Sequence, residues 1–179
     1  MLSLNRIKTG ILLIRQFRIT YIAVKMRRKE REITEIAEIS SIISRCDVCR
    51  IALSDNNIPY IVTMNFGYTG GSGNKLYFHC AGEGKKLEII RKNNFVCFQF
   101  DTDHQLEQGE NACDFGMSYR SVVGWGNIKI ITEEEEKKRG LNYIMSHYSD
   151  RVEFTYSQAV LNRTIVLRLD ISEMKGKKC

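Results

Sequence analysis

The 179-residue sequence predicts a mainly β (α+β) fold, an antiparallel barrel of about six strands flanked by three helices. Apolar, β-branched and aromatic residues alternate with period two in several segments, mostly joined by turn-like residues. Other segments repeat apolar residues at helical spacing. The chain lacks the unbroken strand–helix alternation of a doubly wound sheet and has no Gly-x-Gly-x-x-Gly after its first strand. Patterning alone points to a small, closed barrel. An apolar fraction of 43% and a charged fraction of 27% describe a globular chain, and 8 Tyr, 8 Phe, 1 Trp and a single proline argue against disorder.

Residues 1–25 hold Arg6, Lys8, Arg15, Arg18 and Lys25 and no acid. Removing those cations from the 27 Lys and Arg leaves 22 against 21 acids, so the net charge of +6 belongs mostly to this segment. A nucleic-acid footprint on the remaining chain is therefore not expected. Arg15, Gln16 and Arg18 break the apolar runs well short of the ~20 residues a membrane span needs, and no Ala-x-Ala site follows. A transit peptide or a basic interfacial segment fits the composition, but a leader or upstream-start extension ahead of Met26 is the simplest reading. The folded domain is then 26–179.

Residues 30–45 predict a helix, with Ile33, Ile36, Ala37, Ser40 and Ile43 at helical spacing and Ile39 and Ile42 widening the stripe. Residues 48–54 predict a strand with Cys49, Ile51 and Leu53 on one face and Val48, Arg50, Ala52 and Ser54 on the other. Asp55-Asn56-Asn57 is a turn, and residues 58–66 return as a hairpin, with Pro59 tolerated at a strand start or edge. The loop GYTGGSGN (67–74) lacks the Gly-Lys-Ser/Thr of a P-loop and lies between strands, so it reads as a hairpin tip.

The organising stretch is 76–93, LYFHCAGEGKKLEIIRKN. A strand (Leu76 to Cys80) ends in small residues and runs into a helix from Lys85, with Leu87, Ile89 and Ile90 apolar. Glu83 suits the helix's first turn, and Arg91 and Lys92 its last. Free N–H groups at such a helix start, beside Lys85 and Lys86, are suited to a phosphate, with His79 next to any ring attached to it. The plainer alternative is an ordinary strand–helix connection with surface lysines.

Residues 95–100 predict a strand, and 101–113 a polar loop in which Asp101, Asp103 and His104 fit no closed metal site. Residues 119–131 predict a long strand in which Gly124 and Gly126 flank Trp125, signalling a bulge or the close approach of another backbone. Thr132 is the expected cap of a helix that opens with Glu133 to Glu136 and buries Leu141, Ile144, Met145 and Tyr148. Residues 164–171 predict the last strand. The 6 cysteines are expected to be reduced thiols of a cytoplasmic protein. Cys46-x-x-Cys49 lacks the partners of a zinc site and the helix start of a redox pair, so a structural role is expected.

Four blocks in order, CRIALSDNNIPYIVTMNFGY (49–68), the 76–93 stretch, YRSVVGWG (119–126) and KGKK (175–178), resemble the pyridoxamine-phosphate-oxidase-like split-barrel flavoproteins. Within these they most resemble the proteins associated with 5-nitroimidazole resistance. The resemblance spans roughly residues 27–178. It implies a six-stranded antiparallel split β-barrel with flanking helices, and a homodimer with FMN (FAD being possible) in clefts at the subunit interface. It places Arg50, Thr63, Met64, Asn65, His79, Cys80, Ala81, Lys85 or Lys86, Arg120 and Ser121 at the cofactor, with the lysine on the phosphate. Relatives commonly carry proline where Thr63 stands and a hydroxyl residue at Cys80. The function it implies is a flavin-dependent reductase of nitroaromatic compounds, with His79 as the catalytic residue, orienting substrate or donating a proton, and Tyr119 and Trp125 lining the substrate slot. The alternatives are a non-catalytic flavin-binding or storage module and a pyridoxamine-phosphate oxidase. The latter needs a second phosphate site that the sequence does not offer. No membrane or nucleic-acid partner is expected.

Overall fold

The computed structural model describes residues 26–179. The basic segment 1–25 lies outside the described residues. A short 3-10 turn at Lys29–Arg31 leads into β1 (Glu32–Ile33), α1 (Ile36–Ser44), β2 (Cys49–Asp55), β3 (Ile58–Met64) and β4 (Gly67–Tyr68). Then come β5 (Lys75–Cys80), α2 (Lys85–Lys92), β6 (Phe95–Glu107), β7 (Gly116–Ile131), α3 (Glu134–Tyr148), α4 (Gln158–Arg163) and β8 (Ile165–Lys178). The six expected strands are all present, and β1 and β4 add two-residue pieces. All ladders are antiparallel, in the order β3-β2-β6-β7-β8-β5-β4 with β1 on β8.

The barrel is not closed, contrary to the patterning. Among the described residues β3 and β4 end the sheet and form no ladder with each other. From β3 the chain passes through Asn65 and Phe66 directly into β4, which pairs with β5 and not with β3. The resulting sheet curls around Ile51, Leu53, Phe98, Phe100, Val122 and Leu167, and α1 and α2 fill its interior with Ile39, Ile42, Ile43, Leu87 and Ile89.

Period-two alternation sets the faces. Cys49, Ile51 and Leu53 of β2 point into the core as expected. On β5, Leu76 and Phe78 enter this core while Tyr77 enters a second cluster with Leu141, Ile144, Leu161 and Val166 beneath α3 and α4. The β5–β8 part of the sheet is thus covered on both faces. The outer face of β3-β2-β6-β7 is not: the row Ile61, Ala52, Cys97, Trp125 lies in register across it, and Ile61 is 65% exposed.

Several boundaries depart from the patterning. The first helix starts at Ile36, because Glu32 and Ile33 pair with Lys177 and Gly176 of β8, and Ile36 itself is exposed. Residues 101–107 continue β6 through a register shift between Thr102 and Gln105 instead of forming a loop. The last strand runs on to Lys178, and α4 was not anticipated. Glu133, not Thr132, caps α3 by accepting from the Glu135 and Glu136 N–H groups. Met145 and Tyr148 are 38% and 42% exposed instead of buried, and the Tyr148 hydroxyl donates to the Asp47 carbonyl at 2.7 Å and accepts from the Phe66 N–H at 3.1 Å. Gly84 precedes α2 at φ 127, so Glu83 falls outside its first turn, where Glu88 supplies the acid.

The Asn56-Asn57 turn has both residues in the left-handed region, as a two-residue hairpin requires. The expected bulge beside Trp125 is present as a register shift between Trp125 and Gly126. A Cβ on Gly126 would lie 2.2 Å from the Asp170 carbonyl oxygen, so the adjacent backbone admits only glycine. Gly126→Ala is therefore expected to destabilise the fold by about 1–3 kcal/mol, seen as a lower urea midpoint with an unchanged m-value. A midpoint equal to wild type would contradict the close approach.

Candidate functional site

The β5–β8 ladder ends at Cys80 opposite Ile165. Beyond it the chains part: one passes through Ala81 to Gly84 into α2, and the other leads back through Thr164 to the last residue of α4. Met64 and Asn65 at the end of β3 face this fork. Between them is a cleft of about 620 Å³ lined by Thr63, Met64, Asn65, His79, Cys80, Ala81, Lys86, Arg163 and Thr164. Its size falls within the usual range for small-molecule sites.

The cleft's electrostatics are one-sided. Lys86 and Arg163 are its cations, and no Asp or Glu lines it. Among the described residues neither makes a hydrogen bond or ion pair, and the exposed His79 ring is also without a hydrogen-bond partner. Gly84 offers no capping side chain to α2, and its carbonyl accepts from the Leu87 and Glu88 N–H groups, leaving the first N–H groups of the helix uncapped. Burial pushes the Cys80 thiol above the ordinary thiol range, against the opposing pull of Lys86.

Most of the residues expected from the sequence meet here: Thr63, Met64, Asn65, His79, Cys80, Ala81 and Lys86. Lys85 points elsewhere, with its ammonium 4.9 Å over the Tyr60 ring. Arg50 is in register with Thr63, but its guanidinium is held on the outer sheet face by Asp101 and by Gln99. Asp101 also meets the His104 Nε2 at 2.9 Å. Ser121 is 8% exposed and pairs with Asp101 across the ladder, and Arg120 binds Asp103 at 3.2 Å. In the single chain, Arg50, Arg120 and Ser121 thus lie outside the cleft. Tyr119 and Arg120 line a separate hollow of about 420 Å³ with Arg31, Lys178 and Cys179. The Tyr119 hydroxyl there accepts from the Lys177 ammonium at 2.9 Å. Arg163 and Thr164 were missed, because six residues after the Ser157 cap give too little periodicity to reveal a helix.

Asp103, at positive φ in the β6 irregularity, is clamped by Arg45 and Arg120, whose hydrogen bonds hold its carboxyl below the usual carboxylate range. No cluster of metal-ligating side chains occurs among the described residues. None of the described helices is long and apolar enough to cross a membrane.

An open antiparallel split barrel with a cationic cleft at the fork of two strands defines the class of protein. The pyridoxamine 5'-phosphate oxidase family model matches residues 35–178, and the chain belongs to this family. Among solved structures it is similar to a candidate 5-nitroimidazole antibiotic resistance protein from Bacteroides thetaiotaomicron, at 34% identity and TM-score 0.72, covering 82% of this chain and 86% of that one. It shares its fold with an FAD- and heme-binding protein from Mycobacterium smegmatis (16% identity, TM-score 0.72, 82% and 72% covered). The same holds for the flavocytochrome Anf3 from Azotobacter vinelandii (18%, 0.69, 86% and 71%). The search of curated proteins finds no match.

All 6 cysteines are free, and Cys46 and Cys49 are buried. Burial raises the Cys46 thiol to about 11 and pushes Cys49 up further. A raised thiol pKa keeps the neutral, unreactive form at pH 8. Iodoacetamide at pH 8 is therefore expected to label the exposed Cys113 and Cys179 first and to reach Cys46 and Cys49 only on unfolding, as read by peptide mass spectrometry. Early labelling of Cys46 would point to the redox pair instead.

Proposed function

We propose that the cleft binds FMN and that the protein is a flavin-dependent reductase of nitroaromatic compounds. The observation that carries this reading is a cleft with unpaired cations and no carboxylate, assembled from the residues that the flavoprotein resemblance marks. Membership of the pyridoxamine 5'-phosphate oxidase family and similarity to a candidate 5-nitroimidazole resistance protein support it.

The residues divide the work. Lys86 and the uncapped start of α2 take the phosphate. Thr63, Met64, Asn65, Cys80 and Ala81 would border the ring system. The bound flavin supplies two-electron transfer to a nitro group. His79, exposed on the cleft wall and free of hydrogen-bond partners among the described residues, orients the acceptor and donates a proton.

A second copy of the chain completes the site. The open outer face, with Ile61, Trp125 and Val123, supplies the apolar surface for that contact, and it adjoins the cleft at Thr63. Arg50 and Ser121 lie on this face, so a partner brings them, with the neighbouring Arg120, to the flavin.

Purified protein is expected to show flavin absorbance between 300 and 550 nm near one flavin per chain, with FMN as the released mass. A colourless protein that takes up no added FMN would remove the flavin assignment. His79→Ala is expected to retain flavin and lose about 10²-fold in nitroimidazole turnover by the reduced protein; an unchanged rate takes His79 out of the mechanism. If the wild-type protein holds flavin yet reduces no nitro compound, it is a binding module. Ile61→Lys, a change at an exposed position, is expected to yield a folded monomer on size exclusion with weakened flavin retention. A dimer that persists places the interface elsewhere.

A further inference from the structure

We infer that Arg163 is the second cation of the anion-binding end of the cleft and sets a preference for phosphorylated over unphosphorylated flavin. This rests on the flavin reading. Neither the sequence patterns nor the resemblance marks Arg163.

Its position follows from the ladder. Cys80 pairs with Ile165, so the residues just before β8 run beside those just after β5. Arg163, the last residue of α4, is thereby brought alongside the Ala81–Gly84 turn that opens α2, and it lines the same cleft as Lys86.

Among the described residues it is an unpaired arginine that lines a cleft with no carboxylate. Arg45, Arg50, Arg120 and Arg168 each hold a carboxylate. Arg163 holds none among the described residues. The simpler role for a cation in a last helical turn is to bond that helix's own free carbonyls. Arg163 makes no such bond, and the Val160 carbonyl is already taken by the Thr164 N–H.

The chemistry fits a phosphate monoester, which carries roughly −1.5 to −2 charges at neutral pH. Lys86 alone leaves much of that charge unmatched. Lys85, the alternative cation, is turned onto Tyr60. A guanidinium adds a planar fork of donors that grips two phosphate oxygens at once, which an ammonium does not offer. Unphosphorylated riboflavin gives Arg163 nothing to bind.

The test is titration of flavin-free protein with FMN and with riboflavin, followed by flavin fluorescence, for wild type, Arg163→Gln and Arg163→Lys. Thermal unfolding of each checks that the exposed substitution leaves the fold intact. The expected result is a loss of about 10- to 100-fold in FMN affinity for Arg163→Gln, with riboflavin changed less than about twofold. Arg163→Lys should fall between, keeping the charge without the fork. Wild type that binds FMN as tightly as Arg163→Gln does overturns the assignment and leaves the flavin reading standing. Equal losses for FMN and riboflavin also overturn it, since Arg163 would then only shape the cleft. Wild type that binds neither flavin overturns the flavin reading and this inference together.

Discussion

The β5–β8 ladder is the constraint on which the rest depends. It is the part of the sheet packed on both faces, with Leu76, Phe78, Leu167 and Leu169 in the main core and Tyr77 and Val166 beneath α3 and α4. Side chains that alternate between two dry compartments fix the register, since a slip by one residue would exchange every contact. Fixing the register fixes where the two strands part, and the cleft lies at that fork. Of the cleft's segments, His79–Ala81 and Arg163–Thr164 flank this ladder directly, so their relative placement is settled by strands buried on both sides. The tyrosine pair Tyr77 and Tyr143, stacked at 5.6 Å, anchors α3 to the same strand.

Charge is handled differently in the body and at the cleft. Around the barrel, cations meet carboxylates: Arg168 between Glu136 and Asp170, Lys175 beside Glu32, Arg45 and Arg120 on Asp103. Such partly exposed pairs each contribute little to stability. Their effect is to neutralise the surface locally, whereas Lys86 and Arg163 face a shared space that no carboxylate lines. An anion entering the cleft replaces no internal partner and breaks no ion pair on the way in.

The main elements and much of the cleft were legible in the sequence because they rest on local rules. Alternation of Cys49, Ile51 and Leu53 against Arg50, Ala52 and Ser54 survives folding because one face is dry. The small-residue turn after Cys80 announced the start of α2. What was not legible depends on distant partners. Residues 101–107 are polar and look like a loop, but they are drawn into β6 by pairing with β7. Glu32 and Ile33 fit a helical stripe and are captured by β8. Thr132 had the better capping chemistry, yet Glu133 reaches the free N–H groups. The openness of the barrel is a property of strand order that no alternation pattern records. Arg163 stayed hidden because its helix is only six residues long and its neighbours across the fork are more than eighty residues away in sequence.

An open sheet keeps two edges, and β3 is one of them. The hairpin closes on Asp55 and Ile58, so Ser54 and Pro59 form the next pair, in which backbone N–H groups point away from the partner strand. Pro59 therefore sacrifices no bond to β2 and deletes a donor from the free side. With Ile58 and Ile61 exposed along the same strand, an unprotected edge here would offer both apolar contact and a row of hydrogen-bonding groups to any passing extended chain. The chain's single proline stands at that edge, where it interrupts the template for edge-to-edge aggregation that an unclosed barrel exposes.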